Sequence, residues 1–115
     1  MTNRSEYARA YYARNKAALR ASARQRVNAR RIRNRVWLLN FLKGKSCKDC
    51  GHADIRVLEF DHVRKGKQYN IADLVAGGRN LKLLKTEVGL CELVCCNCHR
   101  LRTAERRGDT WHENV

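Results

Sequence analysis

A chain of 115 residues has room for one small domain and an extension, and this one carries a formal net charge of +14. It contains no apolar run long enough to span a bilayer, and its N-terminus lacks the apolar core of an export signal. The expected setting is therefore cytoplasmic, with no membrane partner, and there six cysteines read as metal ligands or free thiols rather than disulfides.

Residues 1–45 hold 13 Lys/Arg against one acid, Glu6, whereas residues 46–115 hold 12 against 10. Such a block favours polyanions, DNA first among them; a solvated tail or a binder of acidic protein is the plainer alternative. Residues 4–42 contain neither Gly nor Pro and are rich in Ala, Arg and Leu, so they predict one long helix or two, bending between Ser22 and Asn28. Ser5–Glu6 reads as its start and Gly44 as its stop. Apolar residues recur near helical spacing at Tyr7–Tyr11, Leu19–Ala23–Val27 and Ile32–Val36–Leu39. Arg9, Arg14, Arg20, Arg24, Arg26, Arg30 and Arg31 ring the thinner N-terminal part and are the candidate phosphate contacts. "VWLLNFL", residues 36–42, is dense enough to dock on a core, with Trp37 packed on Phe41.

"CKDC" supplies Cys47 and Cys50, and "VCCNCH" supplies Cys95 and Cys98. Two C-x-x-C turns suit a tetrahedral four-thiolate zinc site. Gly51 helps the first turn close, and Cys96 is an alternative to Cys95 as fourth ligand. A single dithiol would leave redox chemistry open; two argue for metal. A body of this size needs such a staple, because its core alone is marginal. Cys91 and Cys96 read as small buried hydrophobes, and His52 as a surface residue or a neighbour of the metal.

"IRVLEFDHV" predicts a strand over Ile55–Val63, "IADLVAG" a short helix, and "NLKLLKTEVG" another, capped by Asn80 and stopped by Gly89. "CELVC" predicts a second strand and "CNCHRLRTAERR" a last helix beginning at the knuckle. The order is strand, helical insertion, strand, helix: an α+β fold. Zinc would draw the head of the last helix to the end of the first strand. His99 and Asp61 would then share a divalent ion, which also supplies the counter-charge a buried carboxylate needs. His62 would stand beside them as general base, imidazole being the side chain suited to that task at neutral pH. Neighbouring strand residues point to opposite faces, so the strand must end or bulge here if Asp61 and His62 are to share a site. Arg100 and Arg102 follow His99 as candidate phosphate contacts; Lys65, Lys67, Arg79, Lys82 and Lys85 are weaker ones.

"CKDCG", "LEFDHV" and "LVCCNCHRLRT" resemble the HNH endonucleases, in particular the small zinc-stapled proteins of bacteriophages. The resemblance covers roughly residues 47–103. It implies a ββα-metal finger over 46–108, preceded by a DNA-binding arm over 1–45 and followed by a tail over 109–115. It implies His62 as general base, Asp61 and His99 as ligands of a catalytic Mg²⁺ or Mn²⁺, and the four cysteines on structural zinc. It further implies DNA as partner and, for a phage-encoded chain, the host cytoplasm and work beside genome-packaging proteins. Many members carry an Asn on the second strand that orients the base; "LCELV" has none.

Overall fold

The computed structural model describes residues 3–114 and measures 77 × 33 × 25 Å. Its radius of gyration is 21.3 Å, where a compact chain of this length would have about 13 Å. The excess comes from one element. Helix α1 runs unbroken from Arg4 to Leu42, about 58 Å at 1.5 Å per residue. Of the two alternatives it is the single long helix. The helix starts differently from expectation: the cap is Asn3, whose Oδ1 accepts the Glu6 N–H at 2.8 Å while Glu6 Oε2 accepts the Asn3 N–H at 3.3 Å. This reciprocal pair satisfies two of the amides a helix start leaves open.

The face of α1 that packs is not Ile32–Val36–Leu39, whose side chains are exposed. Asn34 and Leu42 are buried instead, and Trp37, Leu38 and Phe41 pack on the core. Trp37 stacks on Phe41 as expected, with ring centroids 5.4 Å apart. Polar groups decide this choice. Nδ2 of Asn34 donates to the carbonyls of Leu74 and Arg79 at 3.3 and 2.8 Å, Arg30 donates to Gly78 O, Arg31 to Ala76 O and Arg33 to Arg79 O. The Leu74 and Ala76 carbonyls belong to the last turn of a short helix, where the backbone leaves acceptors open and favours cations, and those of Gly78 and Arg79 to the link that follows it. Gly78 lets α1 come this close: its φ is +61°, and a Cβ there would stand 2.9 Å from Val27 O.

The rest of the body fills in the expected order. A single 3₁₀ turn, Ile55–Val57, precedes strand β1, Leu58–His62. The strand is shorter than expected because Asp54 Oδ1 accepts the Arg56 N–H and caps that turn. Helices α2 (Ile71–Ala76) and α3 (Leu81–Val88) follow, with Asn80 and Gly89 at the ends of α3 as the sequence indicated. Strand β2, Cys91–Cys95, pairs antiparallel with β1, placing Asp61 opposite Glu92 and His62 opposite Cys91. Helix α4, Cys96–Arg107, leaves directly from β2 and packs on both strands. Ile71, Leu74, Val75, Leu84 and Val88 form one core; Cys47, Val94 and Cys95 form a second, smaller one at the knuckles. The fold is α+β. Among the described residues no helix is long and apolar enough to cross a membrane.

Candidate functional site

The Sγ atoms of Cys47, Cys50, Cys95 and Cys98 all lie within 4.8 Å of one another. Each knuckle is shaped by its own backbone. Cys47 O accepts the Gly51 N–H at 2.9 Å, closing the first turn, and Cys95 Sγ accepts the Cys98 N–H at the head of α4. Cys50 and Cys95 sulfurs are 3.6 Å apart, against about 3.8 Å for two thiolates on tetrahedral zinc. The donor set therefore fits zinc. Cys96, the alternative ligand, is outside the cluster and, contrary to the expectation of a buried hydrophobe, exposed at the head of α4. Burial pushes the Cys47 thiol up, but amides of Cys95, Cys50 and Asp49 outweigh it and bring the group down to about 6. Cys98 is driven the other way by its hydrogen bond with Cys95 and by burial. Four crowded sulfurs cannot all ionise on their own charge; a cation among them lets them do so.

The carboxylate of Asp61, on β1, is almost fully buried. Its counter-charge comes from α4. Arg106 donates to both oxygens at 2.7 and 2.6 Å, and Arg102 Nη1 to Oδ2 at 2.8 Å. Arg106 first, opposed by burial and helped by Arg102, holds the carboxyl far below the usual range. Arg102 also grips Asp49 of the first knuckle through two bonds of 2.7 Å and Glu92 of β2 at 3.1 Å. It is thus a hub that ties knuckle, both strands and α4 together, not a group turned to solvent. His99 joins the same face: its Nε2 is 3.6 Å from Asp61 Oδ1, and its Nδ1 is 3.5 Å from Glu59 Oε2. A carboxylate oxygen beside an imidazole nitrogen is a donor pair that a small divalent ion accepts. Among the described residues, though, only the four cysteines gather three or more ligating side chains so tightly.

His62 stays in the regular strand, paired with Cys91, so it points away from Asp61. Its Nε2 lies 3.1 Å from Oε2 of Glu87, a buried acid on α3. Cys91, opposite it on β2, is only half-buried, and desolvation first and the Glu87 charge second push its thiol up to about 11, which keeps it a thiol. Asp61, His62 and His99 nonetheless all line one open cavity of about 860 Å³, whose wall also carries Glu59, Arg35, Lys67 and Arg106. A second hollow on the far side of His99 is lined by Arg100, Trp111 and His112.

No protein family, curated protein or solved structure matches the chain.

Of the residues singled out from sequence, the structure brings together the four cysteines and, in one cavity, Asp61, His62 and His99. Arg9, Arg14, Arg20 and Arg24 stand exposed on the free part of α1, as do Tyr7, Tyr11 and Tyr12. Arg30 and Arg31 differ: their Nε atoms are bonded to backbone carbonyls of the body. Arg100 is exposed, and His52 is an exposed turn residue whose Nδ1 accepts the Asp54 N–H. Sequence reasoning passed over Arg106, Arg35, Glu59 and Glu87. Arg106 had a signal: residues 99, 102 and 106 fall on one face of a helix. Glu59 had one too, lying two residues before Asp61 on the same strand face. Glu87 had none, being one acid on a short amphipathic helix.

Proposed function

We propose that the protein is a DNA endonuclease of the HNH type, stapled by zinc on Cys47, Cys50, Cys95 and Cys98. What supports this reading is the meeting of Asp61, His62 and His99 in one open cavity whose rim is basic. Asp61 and His99 would hold a catalytic Mg²⁺ or Mn²⁺. When bound, such an ion supplies a Lewis acid at a phosphate oxygen and stabilises the departing alkoxide. His62 takes a proton from the attacking water. Arg106, half exposed at its side chain, can leave Asp61 for the incoming phosphate as the carboxylate takes up its ligand role. Arg35 and Lys67 on the cavity wall contact flanking phosphates, and the exposed arginines of α1 hold the duplex at a distance from the cut. Such contacts position the substrate without reading its sequence.

One observation favours a second reading, a zinc-stapled nucleic-acid-binding protein without chemistry. Asp61 is already neutralised by two guanidinium groups, and His62 faces the other side of the strand. A plasmid-nicking assay separates the two. Zinc-loaded protein in Mg²⁺ or Mn²⁺ at low salt is expected to nick, and His62→Ala to lose about 10²-fold or more of that rate. Failure of the wild type to cut duplex, branched or single-stranded DNA hands the case to the binding reading.

A further inference from the structure

Glu87 is 2% exposed, packed among the core residues of α2 and α3. A carboxylate there costs more than an apolar side chain would unless both oxygens are occupied. They are. Oε1 accepts the backbone N–H of Gln68 at 3.2 Å, and Oε2 faces His62 Nε2 at 3.1 Å. We infer that Glu87 is a positioning residue that fixes which ring nitrogen of His62 carries the proton and which presents a lone pair.

A backbone N–H can only donate, so the role of Oε1 is settled. A carboxylate only accepts, so the bond at Oε2 requires a proton on His62 Nε2. In the neutral ring the lone pair then sits on Nδ1. Among the described residues Nδ1 has no hydrogen-bond partner, and the ring is on the wall of the cavity. The same bond stops the ring from turning about its Cβ–Cγ axis, so the lone pair keeps one direction. A pre-set tautomer spares the base a rearrangement before it takes a proton.

Replacing Glu87 by Gln probes this with little change of shape. The Gln68 N–H would keep the carbonyl oxygen of the new amide, which turns its NH₂ toward His62. Nε2 must then accept, and the proton moves to Nδ1. Both hydrogen bonds survive with the tautomer reversed.

The first measurement is a long-range ¹H–¹⁵N correlation of the full-length, zinc-loaded protein, above the pH at which free imidazole ionises. The expected state of His62 is Nε2–H in the wild type and Nδ1–H in Glu87→Gln. Nδ1–H in the wild type overturns the inference outright, even if the variant does not fold; an unchanged tautomer in a folded variant overturns it too. The second measurement rests on the nuclease reading. Glu87→Gln is expected to lower kcat for plasmid nicking by about 10²- to 10⁴-fold, with KM, DNA affinity and zinc content unchanged. A variant that nicks at the wild-type rate overturns the positioning role. Wild-type protein that shows the expected tautomer but never nicks counts against the nuclease reading alone.

Discussion

Arginine does different work on the two sides of Val27. Ahead of it, Arg9, Arg14, Arg20 and Arg24 are exposed, and among the described residues no ion pair reaches them. Behind it, Arg30, Arg31 and Arg33 cap carbonyls, and Arg102 and Arg106 neutralise buried or half-buried acids. The first set has no internal reason to be charged, and its charge is available to a partner. The second is part of what keeps the body folded. Counting basic residues cannot tell these apart; only their acceptors can.

The largest expected effect falls on the body. Cys98→Ser removes one of the four clustered sulfurs that could hold zinc, at the point where α4, β2 and the first knuckle meet. Structural zinc is worth on the order of 10 kcal/mol of apparent binding free energy, more than a small domain's net stability. The variant is expected to lose its zinc stoichiometry and its cooperative melt. A metal-free variant that still melts cooperatively near the wild-type temperature would show that the knuckles do not depend on an ion.

How much of this was legible beforehand follows the same line. The knuckles could be read because the spacing is itself the chemistry. The ends of α3 could be read because Asn80 and Gly89 act locally on the helix they bound. The packed face of α1 could be read only at its end, where Trp37 and Phe41 of "VWLLNFL" dock on the core. Ile32, Val36 and Leu39 make the better apolar stripe, yet a buried Asn34 and three arginines chose the other face, through acceptors 40 or more residues away. The charge on Asp61 was legible as a need but not as an answer. The sequence pointed to an ion, and two arginines on α4 supply the counter-charge. Glu87 was invisible because its meaning depends on β1 pairing in the register that aims His62 at α3.

A pair of truncations places the boundary between the two kinds of arginine. Removing residues 1–26 takes only the free part of α1, so the melting temperature of the zinc-loaded body should hold while affinity for DNA falls. Removing residues 1–31 also takes Val27, Arg30 and Arg31. Each lost bond to a carbonyl costs about 1 kcal/mol, so this body should be destabilised by about 2 kcal/mol and melt several degrees lower. Equal melting of the two would mean the carbonyl contacts carry no stability, and the contrast drawn at Val27 would dissolve.

The smallest expected change is the sharpest for function. Arg24→Ala lies on the exposed stretch of α1, and Ala is the best helix former, so stability should move by less than about 0.5 kcal/mol. If the side chain neutralises one DNA phosphate, its loss releases one counterion fewer. The slope of log K against log salt should then flatten by about 0.9. Arg31→Ala should do the reverse, lowering stability while changing that slope less, because Ala76 O and Asn28 Oδ1 already hold its guanidinium in place. Measuring both slopes and both melts in one titration series tests whether exposed charge and structural charge are separate populations. A slope for Arg24→Ala as steep as that of the wild type would leave the free helix without the role proposed for it.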